Sequence, residues 1–269
     1  MSRQLVGRVR VDGATPPLAD RPGSPARIHI ASRRVRLADV APDGSARLDS
    51  VARYLQDVAG DDAREAGLAA HRWVVRRTYL ELRRRPRYEE RLELTTWCSG
   101  TGAAWAERRT SIAGEGGAAI ETAAVWVNLD PATMRPAALA GRFDQVYAGA
   151  AGGRRVRARL LHPDPPAPGH QGESVDRLTE WRWPLRAADF DVLGHVNNTV
   201  AWALLDEVVG RAAPQQRVRS AEVEYREPIA TAGAVDARWM VAGDLVQLWV
   251  SPEGGPVAAT ALARVEPSE

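Results

Sequence analysis

The stretch ARLDSVARYLQDVAGDDAREAG, residues 46–67, decides the fold, because its apolar positions recur at helical spacing. Leu48, Val51, Ala52, Leu55, Val58 and Ala59 fall on one stripe, Ser45 or Asp49 can cap the start, and Gly67 is placed to end it. Such a stripe must be buried against another element. The flanking sequence supplies one. RIHIASRRVR (27–36) reads as a strand before the helix. Four more runs follow it: WVVRRTYLEL (73–82), RLELTTWCS (91–99), AWAERRTSIAG (104–114) and AAIETAAVWVNLD (118–130). They are β-branched and aromatic, with Arg, Glu or Gly breaks between them. One strand, one long helix and four strands with short connections describe an α+β unit, an antiparallel sheet wrapped round a single helix.

The plan then starts again. Residues 148–177, AGAAGGRRVRARLLHPDPPAPGHQGESVDR, hold Gly and Pro clusters that cannot sustain a sheet interior, so they read as a linker with a short pinned stretch at VRARLL. Beyond it come a strand at LTEWRWPLR (178–186), a helix over 197–211, and strands at RVRSAEVEYREPI (217–229), AVDARWMVAG (234–243), LVQLWVSPE (245–253) and PVAATALARVE (256–266). The expected organisation is an N-terminal arm (1–25), a first domain (26–147), the linker (148–177) and a second domain (178–269). Two unequal copies of one plan suggest a fused pair mimicking a homodimer, whose sheets join across a pseudo-twofold.

Composition narrows the function classes. The 269 residues carry 36 basic against 34 acidic side chains, and every basic one other than His is Arg. A balance this even is not that of a nucleic-acid coat, so no nucleic-acid partner is expected. The lone Cys98 rules out an internal disulfide and a Cys-based zinc site, and in LELTTWCSG it reads as a buried structural thiol. No stretch approaches the ~20 apolar residues of a membrane helix, and the N-terminus lacks the apolar core of a signal peptide. No membrane span and a cytoplasmic location are expected.

The chemistry concentrates in DFDVLGHVNNTVAWALLDEVVG, residues 189–210, where an acidic pair, a glycine turn, a histidine and two asparagines precede a helical run. A helix N-terminus presents unpaired N–H groups and the positive end of the macrodipole. Amides at Gly194, Val196 and Asn197 can therefore hold the oxyanion of an attacked carbonyl. Asp191 can serve as general base or direct nucleophile, His195 can polarise the carbonyl or shuttle a proton, and Asn197 or Asn198 can hold the loop. From the residues alone two readings stand: a catalytic turn, or a turn that only caps a helix. A calcium loop is disfavoured because the downstream liganding Glu is missing.

The string GHVNN after an Asp and before a helix resembles the active-site turn of hotdog-fold thioesterases. ARLDSVARYLQDVAGDDAREAG is similar to the central helix of the first domain in plant and bacterial acyl-acyl carrier protein (ACP) thioesterases. WVVRRTYLELRRRPRYEERLELTTWCSG resembles the strands that follow it there, and AAVWVNLD the last. The resemblance implies two tandem hotdog domains, the first holding the acyl chain and the second catalysing its release as a free acid in fatty acid biosynthesis. It also implies an Asp, an Asn two residues on, a His two further, and a Glu from a neighbouring strand. Asp191 and His195 match, Leu193 stands at the Asn position, and Pro228 holds the Glu position with Glu227 one residue away. A one-residue offset turns a strand side chain to the other face unless a bulge intervenes, which makes Glu227 the weakest member.

The function expected is hydrolysis of acyl-ACP without metal or organic cofactor. Alternatives are an acyl-CoA thioesterase or a hotdog protein that binds acyl thioesters without turning them over. A homodimer is a further expectation. Arginine clusters at 76–87 and 154–159 read either as solvated strand edges or as a docking surface for an acidic carrier or for phosphates.

Overall fold

The helix expected from Leu48 runs as α1, Leu48–Glu65, in a computed structural model that describes residues 18–68, 72–139, 141–166, 178–230 and 232–268. Its buried side carries Leu48, Val51, Ala52, Leu55 and Val58, the stripe read from the sequence. Gly67, at φ +73°, ends it: the Gly67 N–H donates to Arg64 O and the Leu68 N–H to Ala63 O, which satisfies two of the last carbonyls. The start differs from expectation. Neither Ser45 nor Asp49 caps it; Asp49 instead pairs with Arg47 and Arg53.

The strands of the first half are β1 (His29–Arg34), β2 (Arg72–Arg84), β3 (Arg91–Thr101), β4 (Trp105–Gly114) and β5 (Ala119–Leu129). Those of the second are β6 (Thr179–Pro184), β7 (Gln216–Tyr225), β8 (Ala234–Ala242), β9 (Leu245–Pro252) and β10 (Ala259–Pro267), with the helix α3 (Thr199–Ala212). Between the halves lies α2 (Arg142–Ala151), which the sequence reading did not anticipate and which crosses the expected boundary at 147/148. Its buried residues Phe143, Tyr147, Ala150 and Ala151 fall at helical spacing, so the signal was there, shortened by the Gly-rich run that follows.

All ten strands form one antiparallel sheet in the order β1-β3-β4-β5-β2-β7-β10-β9-β8-β6. Reading outward from the centre, each half repeats the same order. The halves join through β2 and β7, with Leu80 opposite Ala221 and both fully buried. A single core therefore takes side chains from α1, α3 and both halves of the sheet, and a smaller one, with Leu68, Cys98 and Phe143, lies beneath α2.

The repeat extends to side-chain detail. Arg36, Asp39, Gly44, Leu48 and Gln56 correspond to Arg186, Asp189, Gly194, Asn198 and Asp206, a constant offset of 150 residues. In each half the arginine N–H donates to the aspartate Oδ2 at 2.8 Å, and the glycine takes a positive φ, +80° and +77°. The two loops then feed helices that touch at their starts. The Leu48 N–H that opens α1 donates to Asp206 Oδ2 on α3 at 2.5 Å, and the Gln56 side chain on α1 donates to Asn198 Oδ1 at the start of α3.

Residues 154–164 of the linker cross the outer face of the sheet. Glu224, in EVEY (222–225) on β7, is 0% exposed because the linker covers it. Its carboxylate accepts the Leu161 N–H at 2.6 Å and the His162 N–H at 3.0 Å. The pinned stretch expected at VRARLL is thus anchored at its last residue by a buried acid. Glu224→Ala should cost about 3 kcal/mol, the scale of charge-assisted bonds lost from a buried site. Thermal melting checks the cost. Faster tryptic cleavage after the exposed Arg157 and Arg159 should accompany it.

Candidate active site

The turn before α3 closes through a bridge between Phe190 and Val196. The Asp191 N–H donates to His195 O at 2.8 Å and the Gly194 N–H to Asp191 O at 3.0 Å, a geometry that needs the left-handed backbone Gly194 supplies. Asp191 Oδ1 accepts the N–H groups of Leu193 at 2.8 Å and His195 at 3.2 Å, so one oxygen shapes the loop. The other, Oδ2, has no hydrogen bond among the described residues, and the side chain is half-buried. The capping and chemical readings of this turn are compatible, because they use different oxygens.

The amides expected to hold an oxyanion are all engaged. Gly194, Val196 and Asn197 donate to Asp191 O, Ile229 O and Asp189 O at 3.0, 2.8 and 2.7 Å. A donor already bonded to a main-chain oxygen is not free for substrate. The next amide is: among the described residues the Asn198 N–H has no acceptor. Its counterpart in the first half, the Leu48 N–H, carries Asp206 Oδ2, a carboxylate oxygen that stands in for an anionic oxygen at that position. Where α3 presents Asp206, α1 presents the neutral Gln56, which reaches the Asn198 side chain and leaves the main-chain amide open. Burial pushes the Asp206 carboxyl up, against the pull of Arg85 and the Leu48 N–H.

Among the described residues no hydrogen bond or ion pair joins the Asp191 carboxylate to the His195 ring or to Glu227. His195 is half-buried, and among the described residues its ring has no hydrogen bond. Glu227 is exposed and lies beyond the end of β7, although the Val196 N–H to Ile229 O bond lays its segment alongside the turn. Val192 and Leu193 form an exposed apolar tip, so Leu193 offers no polar replacement for an Asn. Gln56 was missed by sequence reading, since its partner is 142 residues away and nothing local marks it.

A cavity of about 350 Å³ opens between α1, β2–β5 and α2. Ala59, Gly60 and Ala63 leave room on the helix side, and Trp73, Trp126 and Phe143 wall the other. Gln56 and Trp126 also line a narrow gap beside Asn198, Trp202 and Tyr225, so the cavity shares part of its wall with the start of α3. Cys98 belongs to this wall; burial pushes its thiol up to about 11, as suits a structural residue.

Beside the cavity lies a buried charged cluster. Asp62, 1% exposed, accepts from Arg108 at 2.6 Å, from the Tyr147 hydroxyl at 2.6 Å and from Arg27 at 2.8 Å. Burial works to raise the Asp62 carboxyl, but Arg108 and Tyr147 outweigh it and hold it below the usual carboxylate range. Burial likewise raises the Tyr147 phenol to about 12.

His162, Glu222 and Glu224 bring three possible metal-ligand atoms within 4.8 Å of one another. Every one already has a protein partner: His162 Nδ1 meets Thr260 Oγ1 at 2.9 Å, Glu222 pairs with Arg77 at 3.2 Å, and Glu224 holds the linker amides. The group is read as the anchor of the linker.

Comparison with known proteins agrees with this architecture. Residues 28–147 match the acyl-ACP thioesterase N-terminal domain and residues 172–247 the acyl-ACP thioesterase C-terminal domain. The chain belongs to the acyl-ACP thioesterase family. It is 28% identical to an uncharacterized protein of Mycobacterium tuberculosis over 92% of this chain and 95% of the other. The solved structure of a 12:0-ACP thioesterase from Umbellularia californica superposes with a TM-score of 0.70 at 19% identity, covering 90% of this chain and 98% of that one. An acyl-ACP thioesterase from Bacteroides thetaiotaomicron gives 0.69 at 17% identity, covering 89% and 98%. These two likenesses support the fold, and the family supports acyl thioester hydrolysis. No helix among the described residues is long and apolar enough to cross a membrane.

Asp62→Asn should cost about 3 kcal/mol at neutral pH, the scale for removing one partner from a buried ion cluster. The folded carboxyl titrates below its ordinary 3.8, so its contribution is full above that pH and is lost as pH falls through the lower folded value. Melting of both proteins against pH should therefore show a constant gap at neutral pH that closes only below 3.8.

Proposed function

We propose that this chain hydrolyses fatty acyl thioesters, with ACP as the preferred carrier, and that its halves are two hotdog domains with divided labour. The domain at 26–147 holds the acyl chain, 148–177 links, 178–269 carries the chemistry, and 1–25 is an arm of which residues 1–17 lie outside the described residues. The observation that carries this reading is the open Asn198 N–H, on a residue whose side chain is held by Gln56, itself a lining residue of the cavity.

In the mechanism the thioester carbonyl oxygen takes the Asn198 N–H, as Asp206 Oδ2 takes the Leu48 N–H. Charge developing on that oxygen is stabilised by the amide and the helix start, a contribution of ~3 kcal/mol for one such donor. Asp191 Oδ2 accepts a proton from water as the water oxygen bonds to the carbonyl carbon. Collapse breaks the C–S bond, and the proton passes to the leaving sulfur, with His195 placed on the same turn to relay it. The products are a free acid and the carrier thiol. Direct attack by Asp191, through an anhydride that water then opens, uses the same atoms. Neither route calls for a metal or an organic cofactor.

The carrier preference rests on the family and on arginines of the linker. Arg155, Arg157 and Arg159 are exposed, whereas Arg154 is held by Glu107 and Ser99 O and serves the structure. Arg157→Glu with Arg159→Glu should raise KM for an ACP-linked substrate by about tenfold and leave a simple thioester unchanged, since exposed charges act on encounter. Equal effects on both substrates would remove the docking role.

Asp191→Asn is the decisive variant, because the amide oxygen can still accept the Leu193 and His195 N–H groups and preserve the loop. Turnover should fall by roughly a hundredfold or more with the melting temperature unchanged. Turnover equal to wild type ends the assignment.

A further inference from the structure

We propose that the cavity of the first half selects acyl chains bearing a hydroxyl or keto oxygen toward their far end, recognised by Arg108. This rests on the acyl-thioester reading and narrows its substrate class.

A plain alkyl tail is best matched by an all-hydrocarbon wall, and this wall is not one. Its small residues and its aromatic side, with Trp73, Phe143 and Tyr147 rings at 5.7 and 5.1 Å between centroids, suit a chain. Set among them is Arg108, whose side chain keeps 14% exposure while its partner Asp62 keeps 1%. A guanidinium has five N–H donors. Arg108 Nη1 donates to Asp62 Oδ2 at 2.6 Å and weakly to Thr96 Oγ1 at 3.4 Å, and Nη2 to the Tyr147 hydroxyl at 3.3 Å. Among the described residues Nε has no acceptor. Methylenes packed there would cut these donors off from water with nothing in exchange, while an oxygen on the chain would accept from them.

The charge count selects the kind of oxygen. Arg108 and Arg27 pair with Asp62, Arg27 lies 3.6 Å from Glu65, and the other charged lining residues, Arg64 and Glu107, pair with Asp61 and Arg154, so the charges are already balanced. A neutral hydroxyl or keto group fits that balance; a second carboxylate would upset it. The position along the chain follows from α1. Gln56 stands beside Asn198, and Asp62 lies six residues further on the same helix, about 9 Å at 1.5 Å per residue, which sets the oxygen well away from the thioester.

The test compares kcat/KM for decanoyl-CoA, ω-hydroxydecanoyl-CoA and β-hydroxydecanoyl-CoA. The ω-hydroxy substrate should be favoured over decanoyl by about tenfold or more, a difference of one good hydrogen bond, and the β-hydroxy substrate should gain nothing. Arg108→Met, checked for folding by melting, should abolish the preference. Binding of the free acids, followed by tryptophan fluorescence from Trp73 and Trp126 in the cavity wall, reads the same preference without turnover. If no thioester is cleaved but ω-hydroxydecanoic acid still binds more tightly than decanoic acid, the hydrolase reading falls and this inference stands. Hydrolysis with equal or reversed preference overturns the inference and spares the hydrolase. Should Arg108→Met fail to fold, Ala63→Leu fills the cavity from α1 and should weaken both acids; unchanged binding in that variant also overturns it.

Discussion

The capping of one central helix by a carboxylate on the other sets the terms for the rest of the molecule. A helix start leaves N–H groups without intrahelical partners, and burying one without an acceptor is costly. The Leu48 N–H of α1 is buried at the seam between the halves and is satisfied by a carboxylate on the other helix, Asp206, itself held by Arg85 at 3.1 Å. That contact ties the halves in addition to the β2–β7 pairing, since the start of α1 finds its acceptor on the other half.

The same seam, seen from the other side, holds Gln56 where Asp206 has its counterpart. A neutral amide that bonds to the Asn198 side chain cannot fill the main-chain site as a carboxylate does. The helix start of the first copy is therefore closed by an acid of the second, and that of the second is left able to take an oxygen from outside. The cavity follows the same division. Its lining comes from α1, α2 and strands of the first half, while the open amide belongs to the second. A substrate bridging the two would explain why both copies are retained although one loop carries the acid, histidine and asparagines.

The architecture was legible because period and order are local properties. The stripe on α1, the strand boundaries and the restart after the linker could all be read from spacing, and the Gly44 and Gly194 turns from their flanking residues. The turn at Asp191 was legible as a place, since polar residues massed before an apolar helix stand out in any chain. Its division of labour was not. Which amides stay open depends on main-chain acceptors such as Asp189 O and Ile229 O, and the latter arrives from a segment over thirty residues downstream. Glu224 shows the same limit: alternation shows which face a side chain takes, but not what covers that face.

Composition, helical and strand periods and the repeated order were determined by the sequence itself, because each is written in neighbours a few positions apart. The open Asn198 amide, the partnership of Gln56 with Asn198 and of Asp206 with Leu48, and the buried Asp62–Arg108–Tyr147 cluster were decided only in the folded chain. Each joins atoms separated by tens of residues or more. Their energies come from burial and from the exclusion of water, which exist only once the two halves have closed on one another.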